Sequence, residues 1–280
     1  MVAGLRELLE KVSALCPIPA TATRVMSVVD DPRSHIRNVA EAIAVDPALA
    51  AEAMRIANSP AFGTFGRIRD LEHAINILGL GEIRGMAAAM AMLAAFRTET
   101  ELGPELHETS VLTGALARRV AKDLPGVSRC EAFLCGLLSE VGAMACLAID
   151  GKGYMDLWTQ CGGEPIARAK LEQDRYGGCS YEFGGGLLAR NNLPRDVYEA
   201  VGIATTSDPR SWSTLGRLTV FARVTSPRLV CAVRQNAVHE LPGILAQAAA
   251  SSGVPLETDQ LMQACFDAGI HAEHALRQAG

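Results

Sequence analysis

Two histidines near the C-terminus have the spacing closest to that of a metal site. His271 and His274 are three residues apart, so they share one face of a helix, and Asp267 precedes His271 by four residues. Zinc proteases use the motif H-E-x-x-H, which the stretch HAEH does not match. Two histidines in a tail are more typical of a solvated surface, so we predict no metal site here.

A glycine turn at Gly79-Leu80-Gly81 could bind a phosphate. The surrounding stretch from Ile75 to Ala88 fits the helix-hairpin-helix pattern, in which such a turn offers backbone N–H groups to DNA. Glu82 at the start of the second helix would repel a phosphate, so DNA binding is an alternative rather than the main prediction. The candidate anion or partner contacts are the arginines near this turn: Arg67, Arg69 and Arg84.

The composition excludes several classes of protein. With 280 residues, 49% of them apolar and 20% charged, the chain can bury a sizeable core and is not a disordered protein. A net charge of -5 argues against a basic surface that binds nucleic acid. The longest apolar stretch, Gly85 to Phe96, is too short to span a bilayer. We therefore predict a cytoplasmic protein with reduced cysteines and no membrane partner.

Hydrophobic periodicity predicts helices along nearly the whole chain. Residues 36–43 repeat apolar side chains at the spacing of one helix face, Asp46-Pro47 is a strong helix start, and Asp70 can cap a helix from Leu71 to Leu78. Strand signals are almost absent, so we predict an all-α fold whose prolines, Pro227 among them, lie at helix starts or breaks. Further helices are predicted at 106–122, 131–148, 164–175, 180–191, 195–204, 213–224, 239–252 and 258–277.

Short motifs follow one another in a fixed order between Cys16 and Phe96. They are Pro17-x-Pro19, Asp46-Pro47-x-Leu49, Ile56-Ala57-Asn58-Ser59 and Leu71-x-x-Ala74-Ile75-x-x-Leu78-Gly79. In these motifs the chain resembles the HDOD family (HD-related output domain) of bacterial signalling proteins. The resemblance continues more weakly through Gly136-Leu137-Leu138-x-x-Val141-Gly142 and Leu193-Pro194, and ends near residue 225.

The resemblance implies a compact, multi-helix fold related to the HD phosphohydrolases. A helical N-terminal subdomain is expected to pack on a degenerate HD-type helical core. We predict an HDOD-like helical domain over residues 12–225. Residues 226–280 are predicted to form a C-terminal helical extension packed on the same unit.

HD enzymes hold divalent metals with histidines and aspartates, and the metal activates a water for attack on a phosphate ester. The resemblance places other residues at those positions: Thr109, Ser139, Glu140, Ser180, Thr205 and Arg223. Only Glu140 retains ligand chemistry, because neutral hydroxyls are poor ligands. We expect these six residues to line a metal-free remnant pocket with no catalytic residue, and Glu140 to pair with Arg223 if the two are close.

The main prediction is a non-enzymatic signalling or regulatory module. It would act by protein-protein interaction with a partner of a bacterial signalling pathway, or by sensing a small ligand such as a nucleotide. No cofactor is predicted. The alternatives are a residual metal-dependent phosphohydrolase of the HD class, and nucleic-acid binding through the Gly79-Leu80-Gly81 turn.

Overall fold

The computed structural model describes residues 24–58, 68–80 and 100–267 except residues 26, 30, 192 and 236, and also describes residues 83, 85 and 89 singly. Every regular element in these ranges is helical, which confirms the all-α prediction. The chain divides into a smaller unit, Cys16–Ala95, and a larger unit formed by Met1–Leu15 and Phe96–Gly280. The predicted boundary at residue 225 stays a prediction.

Three described helices of the smaller unit pack against one another: α1 (Ile36–Ala44), α2 (Pro47–Ala57) and α3 (Leu71–Leu78). Two of them begin at the predicted caps. The Asp46 carboxylate accepts a hydrogen bond from the Leu49 N–H at 3.1 Å, and the Asp70 carboxylate accepts one from the His73 N–H at 2.7 Å. Each cap satisfies a backbone donor that the helix itself cannot pair.

The larger unit contains the candidate site. Its described helices are α4 (Leu102–Ala121), α5 (Arg129–Leu137), α6 (Val141–Ile149), α7 (Gly151–Cys161), α8 (Pro165–Tyr176), α9 (Ser180–Arg190), α10 (Arg195–Val201), α11 (Thr214–Arg234), α12 (Leu241–Ser252) and α13 (Thr258–Asp267). Two short 3-10 turns lie at Pro209–Ser211 and Val238–Glu240. Helix α4 packs along α5 and α11, while α9 packs on α6 and α10.

Three features differ from the sequence prediction. The helix expected over 131–148 is interrupted, so that residues 138–140 separate α5 from α6. Helix α7 was not predicted; it is capped by Asp150, whose carboxylate accepts a hydrogen bond from the Gly153 N–H. Pro227 lies inside α11 and not at a break. A proline there costs about 3 kcal/mol, and α11 persists because it packs on α4, α5, α10 and α12.

A glycine allows α6 and α9 to approach closely. A Cβ atom added at Gly142 would overlap the carbonyl oxygen of Ser180. The start of α6 therefore lies directly against the start of α9. This contact brings the segment that carries Glu140 next to the segment that carries Ser180.

One stretch, Arg129–Ile149, has the length and mean hydropathy (2.0) of a membrane span. It comprises two helices, α5 and α6, and its most apolar 18-residue window is 89% buried inside the protein. Burial of this extent is that of helices in a protein core.

Candidate functional site

The core of the larger unit contains a group of buried charged and aromatic side chains, here called the charge network. Each member exposes at most 1% of its surface. Charged groups are removed from water at a high cost, so they must be paired or hydrogen-bonded within the protein. The network consists of Glu140, Tyr154, Arg168, Glu172, Tyr181 and Arg223.

Arg168, on α8, forms the central ion pair of the charge network. Its Nη2 lies 2.8 Å from Oε2 of Glu140 and also donates to the hydroxyl of Tyr181. Its guanidinium carbon lies 5.1 Å from the ring centroid of Trp158 and 5.0 Å from that of Tyr181. Burial lowers the pKa of Arg168, but the acidic groups around it, Glu140 first, outweigh that effect and raise the pKa well above its usual value.

Glu172, one turn along α8, connects this ion pair to two other helices. Its Oε1 lies 3.6 Å from Nε of Arg168 and accepts a hydrogen bond from the Tyr154 hydroxyl at 2.6 Å. Its Oε2 accepts the backbone N–H of Ser180 at 2.7 Å. Burial, and then the charge of Glu172, raise the pKa of Tyr154 well above its usual value. The carboxylate thus joins α7 and α9 to α8.

Arg223, on α11, is the second buried cation. It donates from Nη1 to the carbonyl oxygen of Ile203 and from Nη2 to that of Val201, both at 2.8 Å. Its guanidinium carbon lies 3.9 Å from the ring centroid of Tyr181. Burial lowers the pKa of Arg223 from its usual value. Arg223 therefore fastens the chain that leaves α10 to the core.

The ion pair predicted between Glu140 and Arg223 does not form. Glu140 pairs with Arg168, and among the described residues no carboxylate forms an ion pair with Arg223. Arg223 directs its terminal nitrogens instead to two backbone carbonyls, those of Val201 and Ile203. The two predicted residues still share one cluster, because Tyr181 touches both arginines.

The other predicted residues are Thr109, Ser139, Ser180 and Thr205, and the structure does not bring all four to the network. Ser139 and Ser180 expose 1% and 2% of their surface, and no described group hydrogen-bonds to their hydroxyls or to that of Thr205. Thr205 is partly buried just beyond the carbonyls that Arg223 holds. Thr109 is partly buried on α4, where its carbonyl oxygen accepts a hydrogen bond from the Thr113 hydroxyl, and no described bond joins it to the network.

The candidate anion contacts belong to the smaller unit. Arg69 is exposed just before α3. Arg67, Arg84 and Gly81 lie outside the described residues, as do His271 and His274. Gly79 has φ +89, in the left-handed region, and ends α3 as the turn pattern predicts.

The residues that sequence reasoning missed are Arg168, Glu172, Tyr154 and Tyr181. Arg168 and Glu172 are four residues apart on one helix, and this spacing was the available signal. The same spacing is typical of ion pairs on a solvated helix face. The pattern alone therefore could not show that this pair is buried.

The donor set around Glu140 does not fit a divalent metal ion. Within the part of the chain that the structure describes, no three His, Cys, Asp or Glu side chains lie close enough together to hold one. The carboxylate of Glu140 is occupied by a guanidinium group, whose positive charge would repel a cation. The neighbouring predicted residues offer hydroxyls, which are weak ligands.

An open groove of about 380 Å3 lies on the surface next to Arg223. It is bordered by α9, by the end of α10 and by the chain that leads into α11. Its lining includes two carboxylates, three partly or fully buried apolar side chains and a serine: Glu182, Glu199, Ile203, Ala204, Trp212 and Ser207. One wall is the segment whose carbonyl groups Arg223 holds from within the core.

Comparisons with known proteins identify a family and a fold. A family model, the HDOD domain, matches residues 15–206. The structure is similar to that of a protein from Shewanella amazonensis SB2B named as a candidate phosphohydrolase, with a TM-score of 0.72 and 21% identity over 95% of this chain and 94% of that chain. An HDOD domain protein with unknown function from Geobacter sulfurreducens gives 0.67 and 19%, over 97% and 95%.

Two further similarities extend over less of the other protein. A candidate signal transduction protein from Marinobacter aquaeolei VT8 matches with a TM-score of 0.59 and 17% identity, over 96% of this chain and 62% of that one. A curated, uncharacterised protein of Treponema pallidum is 19% identical over 193 residues, which are 69% of this chain and 38% of that protein. At these identities the structural similarities show the fold alone.

Proposed function

Because the chain belongs to the HDOD family, we propose that it is a non-enzymatic signalling module that acts by binding a protein partner. The family and the signal-transduction name of the Marinobacter protein support a signalling role. The proposed location is the cytoplasm, since in the part of the chain that the structure describes the one stretch with the hydropathy of a membrane span is buried in the core.

The observation that carries the non-enzymatic part of the proposal is the ion pair of Arg168 with Glu140 at 2.8 Å. HD hydrolysis requires a metal ion that activates water. Here the single carboxylate that remains at the corresponding positions is neutralised by a cation of the chain itself. The two buried arginines balance the two buried glutamates, so the charge network needs no added cation for neutrality.

A hydrolysis assay tests this proposal. The purified full chain is incubated with bis-p-nitrophenyl phosphate in the presence of Mn²⁺ or Mg²⁺, beside the variant Glu140→Gln. We expect both proteins to give the same background release of nitrophenol, because Glu140 holds no metal. Release by the wild-type chain that exceeds that of Glu140→Gln and disappears with EDTA would contradict the proposal.

The proposal that the partner is a protein, and not a small nucleotide, has a test of its own. A ligand at 100 times its Kd stabilises a protein by about 2.7 kcal/mol, which at this size raises Tm by roughly 5 °C. We expect no such shift with ATP, GTP, cyclic AMP or cyclic di-GMP. A shift that saturates with one of them would replace partner binding by ligand sensing.

A further inference from the structure

The groove beside Arg223 is acidic. The ionisable side chains among its lining residues are Glu182 and Glu199. One oxygen of Glu182 accepts the Cys179 N–H at 2.9 Å, and one oxygen of Glu199 accepts from Nε of Arg195 at 2.7 Å. Each carboxylate therefore keeps an oxygen that can accept a further hydrogen bond. This chemistry favours a cation and disfavours a phosphate.

The pair that Glu199 already makes can be exchanged at little cost. The side chains of Arg195 and Glu199 are 78% and 52% exposed. Exposed pairs at this helical spacing contribute little to stability, because water solvates both charges. A guanidinium or ammonium group from a partner can therefore replace or join Arg195 at this carboxylate.

The rest of the groove is suited to an aliphatic chain. Trp212 is 7% exposed, and its indole N–H donates to the Ser207 hydroxyl at 2.9 Å, which fixes the ring. Ile203 and Ala204 supply further apolar surface. Lysine and arginine bury their methylene chains on apolar surface while the charged end stays in water. A volume of about 380 Å3 falls within the range of binding pockets.

The wall of the groove is held in place before any partner binds. Arg223 donates to the carbonyls of Val201 and Ile203. A Cβ atom added at Gly185 would lie 2.6 Å from the Cα of Gly202, so α9 and the end of α10 are in close contact there. A site that is already formed loses less entropy on binding.

We propose that this groove binds a lysine- or arginine-bearing segment of a protein partner. The cationic head group binds Glu182 and Glu199, and the methylene chain packs on Trp212 and Ile203. This inference rests on the proposed function, because it names the chemistry of the partner through which the signalling module acts.

The two tryptophans of the chain provide the readout. Trp212 lines the groove, while Trp158 lies beside Arg168 in the charge network and serves as an internal reference. The indole N–H signals of ¹⁵N-labelled full chain are followed by NMR at low salt. The probe is a blocked pentapeptide with arginine at its centre and alanine elsewhere, compared with the same peptide carrying glutamine.

We expect the arginine peptide to shift the Trp212 signal in a saturable way and to leave Trp158 unchanged. The variant Glu182→Gln/Glu199→Gln should weaken this binding about tenfold, since two exposed ion pairs are lost. The control variant Glu105→Gln removes one exposed carboxylate from α4 and should bind like wild type. Both glutamine substitutions keep a hydrogen-bond acceptor, so the Glu182 cap of α9 is retained.

Three results would overturn the inference: equal shifts with the arginine and glutamine peptides, no shift of Trp212, or unchanged affinity in the double variant. A response to spermine without one to the peptide would also overturn it, because the site would then take a free polyamine. If the peptide titration fails while hydrolysis stays at the expected background, the groove assignment is wrong. The proposed function is then unaffected, because the hydrolysis assay tests it separately.

Discussion

Arg168 is the residue on which the charge network depends most. Replacing it by methionine would leave Glu140 buried without its cation. Breaking a buried ion pair from one side costs about 3–5 kcal/mol, because the remaining charge is not solvated. We therefore expect Arg168→Met to lower the free energy of unfolding by about that amount, measured by urea denaturation.

The exposed pair of Arg195 and Glu199 offers a matched control. Arg195→Met also leaves a glutamate without its arginine, but water solvates that carboxylate, so the loss of stability should be small beside that of Arg168→Met. Equal losses in the two variants would show that the burial of Arg168 has no energetic consequence. Adding Glu140→Gln to Arg168→Met should recover part of the loss, since no unpaired charge then remains.

The buried cysteines predict how stability depends on pH. Burial raises the pKa of Cys135, of Cys179 and of Cys265 to about 12. A folded-state pKa above the unfolded value means that the stabilisation is fully present below the unfolded pKa and is lost as pH rises through the folded one. The free energy of unfolding should therefore fall from about pH 9 towards pH 12.

The same burial can be tested through thiol reactivity. At pH 8 a disulfide reagent such as DTNB should react rapidly with the exposed Cys231 and only after denaturation with Cys135, Cys179 and Cys265. The control Cys231→Ser should lose the part of the fast phase that this residue contributes. Fast labelling of Cys135 in the folded chain would contradict the burial on which the pH prediction depends.

At the scale of elements, the contact between α6 and α9 positions Glu140 beside Ser180. Gly142→Ala should disrupt this contact, because the new Cβ would overlap the backbone carbonyl of Ser180 and neither helix can yield locally. Overpacking of this kind costs about 1–3 kcal/mol. The expected result is a lower Tm in differential scanning calorimetry.

Gly151→Ala is the control for that variant. Gly151 begins α7 and nothing lies within 4 Å of an added Cβ. Alanine is the better helix former, so stability should be unchanged or rise by up to about 1 kcal/mol. A Gly142→Ala variant as stable as Gly151→Ala would show that α6 and α9 are further apart than described.

Local signals account for the elements that the sequence predicted. The caps at Asp46 and Asp70 are set by hydrogen bonds within three residues, so they can be read without the tertiary structure. The break after Leu137 and the persistence of α11 through Pro227 depend on what these segments pack against. Packing partners far along the chain are not visible in a local pattern.

The same distinction holds for the site. Glu140, Ser180 and Arg223 could be placed through motifs that resemble the family, and the structure joins them through Arg168, Glu172 and Tyr181. Arg168, Glu172 and Tyr181 lie outside the motifs that resemble the family. Their role follows from the way α8 inserts one arginine and one glutamate into the core, which a pattern of alternating charge does not reveal.

At the scale of the whole molecule, the charge network and the groove share one segment of the chain, the segment that follows α10. Arg223 contacts Tyr181 within the network and holds the carbonyl of Ile203, whose residue lines the groove. A buried charge thus holds a segment that lines the surface groove. A partner bound in the groove would act on the segment that these charges fix.

The measurement that tests the central claim most directly is Mn²⁺ binding to the EDTA-treated full chain, followed by electron paramagnetic resonance. Because Arg168 neutralises Glu140, we predict no saturable binding at Mn²⁺ concentrations up to about 1 mM, which corresponds to a binding free energy weaker than about 4 kcal/mol. A stoichiometric site with micromolar Kd that disappears in Glu140→Gln would contradict the account.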